Sequence, residues 1–144
     1  MSTDSRIRER LKADILVNNP DMLVKFNSTY SFLDFLVDKV HAIYPIMQQM
    51  KEEGRPEHAI IELCLQELTK DLRPSKFQYV SELMQAEFPH DYERLKKLGV
   101  LSFECVNVVE KSAAAFETFR FSEETRENRF LRYAVIVILH EHFN

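Results

Sequence analysis

The chain has 144 residues but very little glycine: only Gly54 and Gly99. Glycine is needed where the backbone approaches a phosphate closely or takes a positive φ, so several catalytic loops carry it at fixed spacings. None of those spacings occurs in this sequence. Their absence excludes phosphate-binding loops, dinucleotide-binding turns and the glycine-flanked nucleophile of hydrolases.

Tryptophan is absent, and cysteine is limited to Cys64 and Cys105. The first residues are polar and contain no apolar segment of the kind found in signal peptides, so we expect two reduced, buried thiols in a cytoplasmic protein. The longest apolar run is Ala134–Leu139, far short of the roughly 20 residues needed to cross a bilayer. We therefore predict no membrane association. The net charge of −4 gives no general attraction for nucleic acid.

The composition is otherwise that of a folded globular protein, with 45% hydrophobic and 29% charged residues. A chain of this length most simply forms one domain, here residues 1–144. Phenylalanine is abundant, with 11 residues. Because aromatic rings bury a large area each, we expect them to fill much of the core.

Apolar residues recur at three- and four-residue steps between prolines and glycines, which predicts an all-α fold: a compact bundle of about six or seven helices. The first helix is predicted over residues 4–17 and the second from Asn27 or Ser28. Both glycines are predicted to end helices in the left-handed conformation. Pro45 lies inside the second helical segment. This predicts a kink there, or two helices that meet at Tyr44 and Pro45.

Two segments are compatible with helix or strand: Leu101–Val109, which begins with polar–apolar alternation, and Ala134–Leu139, which is rich in β-branched residues. We favour helix for both. Ser122, followed by Glu123 and Glu124, has the pattern of a helix N-cap with acidic residues in the first turn. The helix that follows would be polar at its start and apolar all round at its end. This pattern predicts a largely buried C-terminal helix at the centre of the bundle.

Short patterns along most of the chain lie at helix caps and core positions: Asn19-Pro20-Asp21, Gly54 with a cap soon after it, Ala59 to Leu68, Pro74-Ser75-Lys76-Phe77 and Glu87-Phe88-Pro89. Together with the apolar C-terminal helix, they resemble an uncharacterised family of short all-helical domains from Bacteroides-type bacteria, often encoded near mobile elements. The resemblance covers the chain from about Asn19 onward. It implies an all-helical fold and supplies no catalytic residues, so it leaves the function open.

The most ligand-like cluster is His140-Glu141-His142. On a helix the two histidine rings point about 200° apart, and a third ligand is missing, so we predict no metal and no other cofactor. The separated carboxylates lie on amphipathic helices, where they form solvated faces. No nucleophile lies in a recognisable turn, and a catalytic triad is defined by geometry rather than by sequence. We predict that the protein is not an enzyme.

Aromatic residues crowd the segment that precedes the last helix, with an arginine among them. Phe121 fits a hydrophobic staple packed on that helix, whereas Phe119 fits a staple or an interface hot spot equally well. Arginines also recur every three residues farther on, either as a functional stripe or as a solvated face with ion pairs. The candidate interaction residues are Phe119, Arg120, Arg126, Arg129 and Arg132.

We predict a non-catalytic helical protein-interaction domain, whose partner is an unknown protein or a second copy of this chain. The alternative is a nucleic-acid-associated accessory protein that uses basic residues of the first and last helices, since several basic side chains on one face neutralise phosphates. In the first helix these residues are Arg6, Arg8, Arg10 and Lys12.

Overall fold

The computed structural model describes residues 2–26 and 29–144, and all regular secondary structure in these ranges is helical. This confirms the all-α prediction. The predicted start of the second helix at Asn27 or Ser28 lies outside the described residues. Short 3₁₀ helices cover Pro20–Lys25 and Lys70–Leu72. The α-helices are α1 Thr3–Asn18, α2 Thr29–Ala42, α3 Tyr44–Glu52, α4 Glu57–Thr69, α5 Lys76–Glu87, α6 Pro89–Leu98, α7 Leu101–Lys111, α8 Ala113–Thr118 and α9 Arg129–Phe143.

The described ranges contain more helices than the six or seven predicted, because some helices end and new ones begin at positions without glycine. α2 ends at Ala42 and α3 begins at Tyr44, so Pro45 lies in the first turn of a new helix. A proline costs little there, because its missing N–H would have no partner inside the helix. A second break follows α7, where the Ser112 N–H donates to the carbonyls of Val108 and Val109.

Both glycines end helices, as predicted. Gly54 follows α3 with φ of 77° and Gly99 follows α6 with φ of 76°. At the second site the Gly99 N–H donates to the Lys96 carbonyl, and the Val100 N–H donates to the Leu95 carbonyl. These bonds satisfy carbonyls that the end of a helix leaves without partners.

The chain divides into two compact units. The first takes in residues up to Val17 and Met22–Leu72, and the second takes in Asn18–Asp21 and Arg73–Asn144. The prediction of a single domain over residues 1–144 stays a prediction. The core of the first unit is formed by Phe32 and by aliphatic residues of α1 to α4, among them Ile7, Leu11, Leu36, Met47 and Ile60.

In the second unit, helices α5 to α9 surround a core that is also largely aliphatic. The aromatic Phe116 of α8 belongs to this core and is 2% exposed. The helix α9 contributes one stripe of residues at four-residue steps: Leu131, Val135 and Leu139, each with no exposed surface. No helix in the described ranges is long and apolar enough to cross a membrane.

Two expectations about α9 are wrong. Its N-cap is Asn128 rather than Ser122: the Asn128 side-chain oxygen accepts hydrogen bonds from the N–H groups of Phe130 at 2.8 Å and Leu131 at 3.2 Å. Ser122 lies in a turn instead, where its N–H donates to the side chain of Thr125. The helix is also not largely buried: Ile136 and Ile138 are only partly buried, and Phe130, Tyr133 and Val137 are more than half exposed.

Candidate interaction surface

The outward side of α9 carries exposed apolar side chains, although a soluble helix normally places polar residues there. These residues lie at i, i+3 and i+7, so they share one side of the helix. The exposed fractions of their side chains are 57%, 57% and 55% for Phe130, Tyr133 and Val137. We call these three residues the outer face of α9. Large apolar groups grouped in this way make the outer face the candidate interaction surface.

A charged residue stands at each end of the outer face. Arg129 precedes it, and its guanidinium lies 5.1 Å from the centre of the Phe130 ring. Glu141 follows Val137 by one helical turn and is exposed. Arg129, Tyr133, Val137 and Glu141 therefore form a row at four-residue steps, with opposite charges at its two ends.

Of the three predicted arginines, only Arg129 adjoins the outer face. Arg126 lies in the turn before α9, and its guanidinium donates to the Glu123 carboxylate at 3.0 Å. Arg132 points to α5, where it bonds Glu87 at 2.6 Å. The placement of all three arginines on the last helix is wrong for Arg126, because α9 begins at Arg129.

The aromatic segment before α9 is folded onto the second unit. Phe119 is half-buried and packs against the core. The ring of Phe121 meets Tyr79 edge-on at 5.2 Å and Phe116 at 4.9 Å. Arg120 is exposed and takes a positive φ of 48°, with its carbonyl accepting a hydrogen bond from Thr125. Phe119 and Arg120 are therefore parts of a folded turn.

The basic residues of α1 meet acidic residues of α4 within the first unit. Arg6 bonds Glu57 at 2.5 Å, and Arg10 bonds Glu62 at 2.9 Å. All four side chains are about half exposed, so each pair contributes little stability, on the order of 0.2–1 kcal/mol. The pairs do lower the positive potential of this face. The other two basic residues of α1 are Arg8, which contacts the hydroxyl of Ser5, and Lys12, which is half-buried.

The C-terminal histidines have separate environments. His142 is mostly buried, with its Nε2 2.5 Å from a Glu104 carboxylate oxygen and its Nδ1 2.8 Å from the Lys111 ammonium. His140 is exposed. Within residues 2–26 and 29–144, no group of three or more histidine, cysteine, aspartate or glutamate side chains is placed to hold a metal ion.

A cavity of about 280 Å³ lies in the second unit beside the N-terminal end of α5. Its walls hold both signs of charge, from Arg73 and Arg126 and from Glu82 and Glu123. Tyr79 also lines it, but the hydroxyl of Tyr79 is buried, and burial raises its pKa, so this group stays neutral. With opposite charges in its walls, the cavity favours neither anions nor cations.

Comparisons with protein-family models, curated proteins and solved structures give no match. What the protein does must therefore be inferred from its own surfaces and contacts.

The outer face of α9 is a feature that the sequence interpretation missed. A signal for it was present: the stripe Leu131, Val135 and Leu139 at i, i+4 and i+8 is sufficient to seat the helix on a core. The apolar residues at Phe130, Tyr133 and Val137 fall on the opposite side, where packing does not require them.

Proposed function

We propose that the protein is a non-catalytic, helical protein-interaction domain and that the outer face of α9 is its binding surface. The observation that carries this proposal is the exposure of more than half of each side chain in that face. Exposed apolar surface of this kind is stabilised by association, which removes it from water. Helices α5 to α9 form the bundle that presents it.

The chemistry of the outer face suits a protein partner. Tyrosine, phenylalanine and arginine are enriched at interfaces, and aromatic and arginine side chains dominate the binding energy there. Phe130 and Tyr133 supply two rings, and Arg129 lies over the first of them. A guanidinium that lies over a ring gives a partner an apolar surface and a charged hydrogen-bond donor at the same place.

Nucleic-acid binding is the less favoured proposal. Binding to phosphates requires basic side chains that are not already paired. Arg6 and Arg10 bond carboxylates of α4, and Arg132 bonds Glu87. The resemblance to the bacterial domain family and the cytoplasmic location both stay predictions.

The proposal is tested by affinity capture from a lysate of the source organism, with Tyr133→Ala compared with the unaltered protein. Alanine keeps the helix and removes the ring. The matched control is Phe103→Ala on α7, which removes another aromatic side chain that is 65% exposed in the same unit. We expect capture of the partner, or of the chain itself, to be lost with Tyr133→Ala and kept with Phe103→Ala. Equal capture by all three proteins would contradict the proposal.

A further inference from the structure

We propose that the partner of the outer face is a second copy of this chain, joined by antiparallel packing of two α9 helices about a two-fold axis. This inference rests on the proposed function and specifies the partner. In a two-fold interface the same patch meets itself, so residue i of one copy faces residue j of the other and the reverse. The order of residues along α9 has this symmetry.

The register follows from the row at four-residue steps. When two such helices run antiparallel and cross midway between Tyr133 and Val137, Tyr133 of each copy faces Val137 of the other. The row winds around the helix by about 40° per step. The same register therefore places Arg129 opposite Glu141 at both ends when the helices cross at about 50°, the angle at which the four-residue rows of two helices interdigitate. These two residues are about 18 Å apart along α9, from the rise of 1.5 Å per residue. The apolar centre is therefore closed by an ion pair at each end.

Charge selects the antiparallel arrangement. A parallel pair would place Arg129 against Arg129 and Glu141 against Glu141, and like charges in contact weaken an interface. In the part of the chain that the structure describes, no ion pair joins Arg129 or Glu141 to another residue. Both side chains are exposed and adjoin the outer face, where a second copy reaches them.

Within one α9 helix, these two charges are in the unfavourable order. The N-terminal end of a helix carries a partial positive charge and the C-terminal end a partial negative charge. Arg129 is the first residue of α9, and Glu141 lies in its last turn. The helix alone is destabilised by both charges, whereas the antiparallel pair gives each an opposite charge. Dimerisation therefore relieves both of these unfavourable charges.

Sedimentation equilibrium of charge variants tests the pairing. A single helix pair covers less surface than a standard interface of about 800 Å² per partner, so we expect a dissociation constant on the order of tens of micromolar. Arg129→Glu alone places like charges together at both ends and should weaken the dimer about tenfold. The double variant Arg129→Glu with Glu141→Arg restores opposite charges, and it should return to within about threefold of the unaltered protein.

Cross-linking tests the direction of the helices. Tyr133→Cys and Val137→Cys are prepared as chains of different mass, mixed and mildly oxidised. The native Cys64 and Cys105 are buried and do not interfere. Antiparallel packing predicts disulfides between the two kinds of chain. Disulfides mainly between identical chains would overturn the antiparallel register.

The outcomes separate this inference from the proposed function. If the unaltered protein stays monomeric throughout the concentration series, the partner is not a second copy of this chain. If Tyr133→Ala still loses a captured protein in that case, the outer face keeps its proposed role with a different partner. If the dimers of Arg129→Glu and of the double variant have the same dissociation constant, the pairing of Arg129 with Glu141 is wrong.

Discussion

Leu131 and Tyr133 lie two residues apart on α9 and have opposite environments. Leu131 is completely buried, whereas 57% of Tyr133 is exposed. Removing a buried leucine side chain leaves a cavity, so Leu131→Ala should lower the free energy of unfolding by about 2–5 kcal/mol. Tyr133→Ala should change the free energy of unfolding of the monomer by less than about 0.5 kcal/mol. Urea unfolding at a concentration where the protein is monomeric measures both, and equal losses would contradict the assigned faces.

The cysteine thiols give a second prediction about individual residues. Burial raises the pKa of Cys105 to about 11 and also raises the pKa of Cys64. Since the thiolate is the reactive form, we expect neither thiol to react rapidly with Ellman's reagent in the folded protein, and both to react after unfolding in urea. Rapid reaction of either thiol in the folded protein at pH 8 would show that it is not buried.

The same pKa shift predicts how stability depends on pH. The folded protein holds the protonated thiol of Cys105, and the unfolded chain loses that proton at a pH near 9. The contribution to stability is therefore fully present below pH 9 and is lost as the pH rises toward 11. Urea unfolding of Cys105→Ala beside the unaltered protein isolates this contribution. The loss between pH 9 and 11 should be smaller in the variant.

For individual residues, the sequence shows which side chains are apolar but not which of them are buried. Most phenylalanines do contribute to the cores, as expected, but Phe103 and Phe130 are more than half exposed. The buried rings are Phe32, Phe77 and Phe116, and the rings packed against the cores are Phe26, Phe35, Phe88, Phe119, Phe121 and Phe143. Composition counts rings but does not say which side of a helix meets the core. That depends on which helices pack together, and a single sequence does not specify this.

Among the helices, the start of α9 makes the clearest difference between sequence and structure. Loss of an N-cap side chain costs about 1 kcal/mol, because N–H groups in the first turn lose their acceptor. Asn128→Ala should therefore lower the free energy of unfolding by about 1 kcal/mol, whereas Ser122→Ala should cost clearly less. Chemical denaturation of the two variants measures the difference. A larger loss with Ser122→Ala would restore the helix start that the sequence predicted.

Helix ends were predictable where residue chemistry marks them. The positive φ at Gly54 and Gly99 follows from the freedom of glycine, and both positions were predicted. The break after Lys111 was not, because Ser112 and the alanines after it are compatible with a continuing helix. The preference for helix over strand at Ala134–Leu139 is confirmed. Six apolar residues are also typical of a buried strand, so β-branching alone was not decisive.

On the scale of the whole molecule, charge pairing argues against binding to nucleic acid. The net charge of the chain is −4. Of the four basic side chains of α1, two form ion pairs with carboxylates of α4. We expect duplex DNA to keep its free mobility in a gel-shift experiment at low salt, where phosphate contacts are strongest. A shift that weakens steeply with added salt would favour the alternative function.

The candidate surface was predictable only in part. Arg129 was identified from its spacing, and the choice of a protein partner followed from composition. The outer face itself was not identified, because the sequence interpretation took the last helix to be polar at its start and apolar all round at its end. Exposure is a property of the assembled helices α5 to α9, and it appears only when the buried stripe of α9 is matched to their core.

Association through the outer face of α9 is tested most directly by two-dimensional ¹H–¹⁵N spectra of the labelled protein, recorded on dilution from about 500 to 10 μM. We expect the backbone resonances around Phe130, Tyr133, Val137 and Glu141 to shift together along one binding curve, while those around Phe103 stay constant. Spectra that are unchanged across the series, or shifts that cluster away from α9, would contradict a self-associating outer face.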